Sequence, residues 1–315
     1  MNSSLEIEIL SEKYVESICD IAYDQYKEEE KYNSCMQEIS RKDFFSSLKE
    51  EIKGSYGLVA INNNKVVGYF LCKNNYFKEG INYFYFPQWG YGCVGENRSK
   101  IMSHLFKKFA MNIKGKAHFE IKLYAHDEEI IRSFSFMQFG IECEQCISRV
   151  LYEEFMENGV IYREMESYEL QQRWQEVWSL LSSLIRHLQK SPIFYPGEEF
   201  TEEVYKEFFM ESDTNVFIAE KSGRLVGIIE TNSGANDILT RNIPCSNIGD
   251  VYVHEEYRGL NIAHNLLFYA NKMEKKKGTE FLWVEHGTAN PNARGFWNKY
   301  FEPYVYTMIR DIEVL

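Results

Sequence analysis

No apolar run in this chain of 315 residues approaches the ~20 residues that a bilayer-spanning helix needs. The N-terminus, Met1-Asn-Ser-Ser-Leu-Glu-Ile-Glu8, lacks the charged and apolar segments of a secretory signal. A cytoplasmic location is expected. Basic stripes are also lacking: the formal net charge is −12, both halves are acidic, and the run Lys275-Lys276-Lys277 is short and falls at a helix end. Nucleic acid and anionic membranes are therefore excluded as partners, and a cationic small molecule or peptide is favoured. The seven cysteines are odd in number, scattered and mostly set in apolar runs, so a disulfide framework is not expected. Cys143 and Cys146 form the one close pair; without a second pair they imply neither a metal site nor a redox motif.

What is present suits two domains. Hydrophobic residues make up 44% and aromatics 16%, enough for two cores in a chain of this length. The chain also repeats itself at an offset of about 160 residues. Leu58-Val-Ala60 to Val67-Gly68 matches Phe217-Ile-Ala219 to Val226-Gly227, each a strand, a polar turn and a strand. A strand and amphipathic helix open each repeat, through Tyr14, Ile18 and Ile21 in one and Trp174, Val177, Trp178 and Leu181 in the other. The segments His126 to Arg149 and His286 to Arg310 end them. Two homologous α/β domains with mixed sheets are expected, 1–157 and 158–315, joined around Glu153 to Asn158.

One segment carries chemistry. Ile248 to Val253 reads as a buried strand, Arg258-Gly259-Leu260-Asn261-Ile262-Ala263 as a tight turn, and the residues after it as a helix. Such a turn lets backbone approach a phosphate, aims the first N–H groups of the helix at it, and adds the charge of Arg258. This resembles motif A of the GNAT N-acetyltransferases, with Asn261 where that family prefers glycine. Asn290, Ala293, Phe296 and Trp297 resemble the family's second signature. The resemblance implies two tandem acyl-CoA N-acyltransferase (GNAT) domains, a coenzyme A site in the second, and transfer of an acetyl group from acetyl-CoA to an amine. It implies further that main chain at Val251, Tyr252 and Val253 lies along the pantetheine arm, and that Asn290 and its helix hold that arm. Trp297 takes the place of a tyrosine that often protonates the leaving thiolate; an indole N–H is no usable acid.

The candidate proton acceptors are Asp250, Glu285 and His286, because a carboxylate in an apolar cleft has its pKa raised towards neutrality. Tyr300, three residues beyond Trp297, is the first candidate acid, with Tyr304 and Tyr306 as rivals. The loop Ser191 to Gly197 lies where the family covers its acceptor, and Glu198, Glu199, Glu202 and Glu203 after it could attract an amine. In the first repeat, Phe84 to Arg98 stands in place of motif A but lacks its spacing, and Glu96 would repel a phosphate, so a degenerate copy is expected. Transfer of a longer acyl chain, binding of coenzyme A without turnover, and a purely structural protein remain open, as does the choice between monomer and homodimer.

Overall fold

Two matching hairpins show why the repeat exists. In each, two successive residues with positive φ make the tight turn: Asn63 and Asn64 in the first, Ser222 and Gly223 in the second. In each, the repeated alanine pairs with the repeated glycine, Ala60 with Gly68 and Ala219 with Gly227, and the register shifts at the next residue. The glycines are needed for packing. A Cβ at Gly68 would lie 2.8 Å from Ile101, and one at Gly227 would lie 3.1 Å from Leu266 and 3.2 Å from Ile262. Each glycine thus lets the following long helix settle onto the sheet.

The structure is a computed structural model and describes residues 5–36, 38–111, 113–150, 155–195, 200–211, 213–235 and 237–314. Glu153, Pro196, Gly197, Glu198 and Glu199 lie outside the described residues. Chain contacts define two units, one of Met1–Gln145, Asp237–Leu239 and Glu302–Leu315, the other of Cys146–Asn236 and Thr240–Phe301.

The element order begins β1 (Glu6–Ile9), α1 (Val15–Glu29), α2 (Arg41–Ile52), β2 (Tyr56–Asn62), β3 (Lys65–Cys72), β4 (Asn74–Lys78), β5 (Ile81–Phe86) and β6 (Tyr91–Cys93). It continues with α3 (Arg98–Ala110), β7 (Gly115–Tyr124), α4 (Glu128–Phe136) and β8 (Gly140–Arg149). Then follow β9 (Ile161–Glu164), α5 (Ser167–Gln172), α6 (Trp174–Leu188), α7 (Glu202–Phe209), β10 (Asn215–Lys221) and β11 (Arg224–Asn232). The chain ends with α8 (Ile238–Arg241), β12 (Cys245–Val253), α9 (Ile262–Lys276), β13 (Phe281–Gly287), α10 (Pro291–Trp297) and β14 (Glu302–Val314). Parallel pairs β5–β7 and β12–β13 among antiparallel ones make one sheet mixed, whereas the sheet of β1, β2, β3 and β6 is antiparallel throughout. No helix among the described residues is long and apolar enough to cross a membrane.

The second unit follows the expected order of strand, helices, three strands, helix, strand, helix, and β14 comes next along the chain. In the first unit β4 is added and one expected strand is split into β5 and β6. Pro87, which has no N–H to give a ladder, and Gly90, where a Cβ would lie 2.7 Å from the Leu71 carbonyl, stand at the break.

In the second unit the strands alternate between two cores. Trp174, Val177, Leu181, Ile185, Phe209, Ile218 and Tyr252 build one with α6 and α7. Phe217, Ile229, Ile248, Ile262, Leu266, Trp297 and Phe301 build the other with α9 and α10. Within α6 the buried residues recur three or four apart, one face of a helix.

The closing strand of the sequence repeat is not a strand of the second unit. β14 pairs antiparallel with β7, from Val305 opposite Tyr124 to Val314 opposite Gly115. A division at 157/158 is accordingly a proposal about the repeat. Deleting residues 1–157 removes both strands beside β14, β7 and β8, and leaves its ladder groups without partners, so the fragment is expected to associate or precipitate. A monodisperse, soluble fragment in light scattering would contradict this.

Candidate active site

β12 and β13 pair in parallel only from Cys245 and Phe281 to Ile248 and Val284. The parting coincides with a bulge. Ile229 pairs with Val251 and Thr231 with Ile248, so Gly249 and Asp250 together face Glu230. Bulges bend a strand and re-aim its side chains, and this one directs two carboxyl groups to one place. Glu230 Oε1 accepts the Asp250 N–H at 3.1 Å. The approach depends on glycine, since a Cβ at Gly249 would lie 1.6 Å from that oxygen.

Both carboxyls open on a cavity of about 580 Å³ walled by Phe200, Val204, Tyr205, Phe208 and Trp283, with Asn232 and Asn247 beside them. The polar groups are tied together. Asn232 Nδ2 bonds Glu230 Oε2 at 3.4 Å and Asn247 Oδ1 at 3.3 Å, and Asn247 Nδ2 donates to the Trp283 carbonyl at 3.3 Å. Trp283 Nε1 donates to the Gly234 carbonyl at 2.8 Å. Burial pushes Glu230 up to about 8, with the Asp250 charge adding to it and the Asp250 N–H opposing. Burial likewise pushes Asp250 up to about 6, against the hydrogen bond from Tyr205.

Groups raised in this way bind protons more tightly folded than unfolded. Their stabilising contribution is present at low pH and is lost as pH rises through about 6 and then about 8. Glu230→Gln should therefore gain on the parent protein by a few kcal/mol between about pH 5 and about pH 9. Urea melts across that range check it, and parallel curves for the two proteins would refute it.

The turn after β12 has the form expected of an anion cradle. Gly259 has φ +81° and Asn261 φ +58°, both left-handed, and Asn261 is the N-cap of α9. Asparagine is the residue after glycine that best tolerates this region. No side chain caps α9 and no acidic residue stands in its first turn, which leaves the N-terminal N–H groups for a ligand. Arg258 is exposed at the turn, its Nε donating to the Val253 carbonyl at 3.2 Å. Leu260 is also exposed, whereas Ile262 is buried against the core. These features fit a pyrophosphate.

The first unit has the same turn with a different tenant. Gly95 and Asn97 are left-handed at φ +80° and +65° before α3, and Arg98 Nε donates to the Cys93 carbonyl at 3.0 Å. Here, however, Glu129 Oε1 accepts the Ser99 N–H at 2.9 Å, and Arg98 is paired with Asp127 at 2.5 Å. The Tyr91 hydroxyl accepts the Tyr124 N–H at 3.1 Å, bridging β6 to the end of β7. The nearby cavity of about 490 Å³ is lined by Asp24, Glu28, Glu29, Asp127, Glu128 and Glu129. The chain's own carboxylates thus take the anion's place. Glu96, expected to repel a phosphate, is exposed at this turn.

The other expected residues are dispersed. Val251 and Val253 pack on the α9 side of β12 and Tyr252 on the α6 side. Asn290 caps α10 through Oδ1, accepting from the Asn292 and Ala293 N–H groups at 3.2 and 3.3 Å. Ala293 packs against the core, and Trp297 is buried within it. Glu285 is exposed on β13 and does not line the cavity. His286 is buried, its Nε2 3.8 Å from Cys146 Sγ. The Tyr300 hydroxyl bonds His264 Nδ1 at 2.8 Å. Tyr304 donates to Asp237 at 2.7 Å and, like Tyr306, belongs to β14 in the first unit. Glu202 accepts from the Trp174 indole at 2.9 Å, a structural use of one acid thought able to attract an amine. Glu230 and Trp283 were missed. A glutamate directly after the apolar run Leu225 to Ile229, with a glycine on the next strand, was the signal for the first.

Residues 181–302 match the family described as the Acetyltransferase (GNAT) family. No curated protein matches the sequence. Among solved structures the chain is similar to a GCN5-related N-acetyltransferase from Sphaerobacter thermophilus, at 10% identity and a TM-score of 0.54, over 98% of this chain and 96% of that one. It is also similar to a fungal multi-domain beta-N-acetylglucosaminidase with a glucosamine N-acetyltransferase region, at 9% identity and a TM-score of 0.53, over 98% of this chain. The chain spans 38% of the length of that protein. At these identities the likeness is one of fold. Residues 181–302 thus carry a domain of the GNAT acetyltransferase family.

Proposed function

We propose that the second unit moves an acetyl group from acetyl-CoA to a primary amine of a small molecule or peptide, with Asp250 as proton acceptor. The observation that carries this reading is the bulge at Gly249 and Asp250. It parts β12 from β13 and sets a raised carboxyl pair in an apolar cavity, on the strand that leads to the cradle.

In this reading Arg258 and the N–H groups of Gly259 to Ala263 hold the pyrophosphate, and main chain at Val251 to Val253 lies along the pantetheine arm. Asn290 keeps α10 beside that arm with Ala293 and Trp297. Acetyl-CoA supplies the activated acyl carbon. The acceptor enters as an ammonium and gives a proton to Asp250; its nitrogen then bonds the acyl carbon as the C–S bond breaks. The net change is ammonium plus thioester to amide, thiol and one proton. Asp250 is preferred to Glu285 because it lines the cavity and is shifted towards neutrality. Tyr300 remains the candidate donor to the thiolate, with His264 orienting its hydroxyl.

Calorimetric titration with acetyl-CoA tests the reading, with one site per chain expected. Arg258→Glu should weaken binding at least tenfold, about 1.4 kcal/mol. Unchanged affinity would remove the cradle from the binding site, and absence of binding by the parent protein would overturn the enzyme reading.

A further inference from the structure

The cavity has a composition that selects among amines. Its polar end is the Glu230 and Asp250 pair, and its sides are apolar: Phe200, Phe208 and Trp283 among them, with Val204 exposed at 53%. The wall is reinforced by ring contacts of Phe200 with Tyr195 at 5.6 Å and with Tyr205 at 5.9 Å. No lysine, arginine or histidine lines it among the described residues.

We infer that the acceptor is a hydrophobic monoamine, a single primary ammonium carried on an aromatic or branched apolar group, and not a diamine, an amino acid or an aminosugar. This rests on the acetyltransferase reading of the same site.

The argument is one of matching charge and desolvation. Carboxyls that titrate near 6 and 8 leave the pair with one proton and one negative charge around neutrality, which a single ammonium balances. The second ammonium of a diamine would have to lie against Phe200, Phe208 or Trp283 without a counter-charge, and burying an unpaired charge is costly. The carboxylate of an amino acid would meet the pair with no cation nearby to receive it. An aminosugar would bring many hydroxyls to walls whose side-chain amides, Asn232 and Asn247, are already bonded to each other. An aryl or branched alkyl group loses nothing there and removes apolar surface from water.

The test is a steady-state panel with saturating acetyl-CoA, following thiol release with 2-phenylethylamine, putrescine, phenylalanine and an aminoglycoside. The expected kcat/KM for 2-phenylethylamine exceeds each of the others by at least tenfold. Phe208→Ala should cut the ratio of 2-phenylethylamine to ethylamine at least fivefold, because the wall and not the reacting group has been removed. Turnover that prefers putrescine, phenylalanine or the aminoglycoside overturns the monoamine assignment while leaving the acetyltransferase reading intact. If no amine is turned over, the enzyme reading fails, and calorimetry of 2-phenylethylamine with the intact protein then decides about the cavity. Binding that weakens in Phe208→Ala supports a hydrophobic-monoamine site, and no binding overturns it.

Discussion

Asp250→Asn is expected to lower kcat/KM by about 10²–10⁴, the usual range for loss of a positioned proton acceptor. The substitution suits the question because the amide keeps a hydrogen-bonding group towards Tyr205 and removes a charge that is costly to bury. The variant should therefore melt no lower than the parent protein, and a loss of rate would be chemical. The pH profile adds a second readout. In the parent protein the rate should rise in two steps, near 6 and near 8, as the carboxyl pair gives up its protons. Glu230→Gln should remove the upper step and keep the lower one. Retention of parental activity by Asp250→Asn at every pH would exclude Asp250 as the acceptor and direct attention to Glu285, despite its exposure.

Part of this site could be read from sequence because it is local. The turn Arg258 to Ala263 lies within six consecutive residues, and its left-handed backbone is one that Gly and Asn adopt easily. The hairpins were legible for the same reason: Asn63-Asn64 and Ser222-Gly223 announce their own turns. Glu230 was not legible because its importance comes from a neighbour on another strand. Only the register that sets Glu230 against Gly249 and Asp250 turns a glutamate at the end of an apolar run into half of a carboxyl pair.

The first unit teaches the complementary lesson. Missing motif residues suggested a degenerate copy, and the group that accepts the first-turn N–H of α3 is Glu129, thirty residues beyond Ser99 and brought to it by the fold. β14 is a similar case. Repetition in sequence records where a segment came from, whereas its partner, β7, is settled by which edge offers a matching ladder.

Trp297→Ala is expected to cost about 3–5 kcal/mol in unfolding free energy, the range for removal of a large buried aromatic. The indole is 3% exposed and packs edge-on against Phe296 and Phe301, with centroids 4.8 and 5.4 Å away. Ile262, the first residue of α9, belongs to the same cluster. A cavity here would thus loosen the cradle helix from behind, and acetyl-CoA affinity should fall together with stability. Trp297→Phe separates packing from chemistry, since it keeps an aromatic ring and loses the N–H donor. That variant should recover most of the stability and hold turnover within a few-fold of the parent, as expected if the indole fills space and moves no proton. A Trp297→Phe protein with parental melting behaviour and kcat reduced a hundredfold would instead place the indole N–H at the reacting thioester.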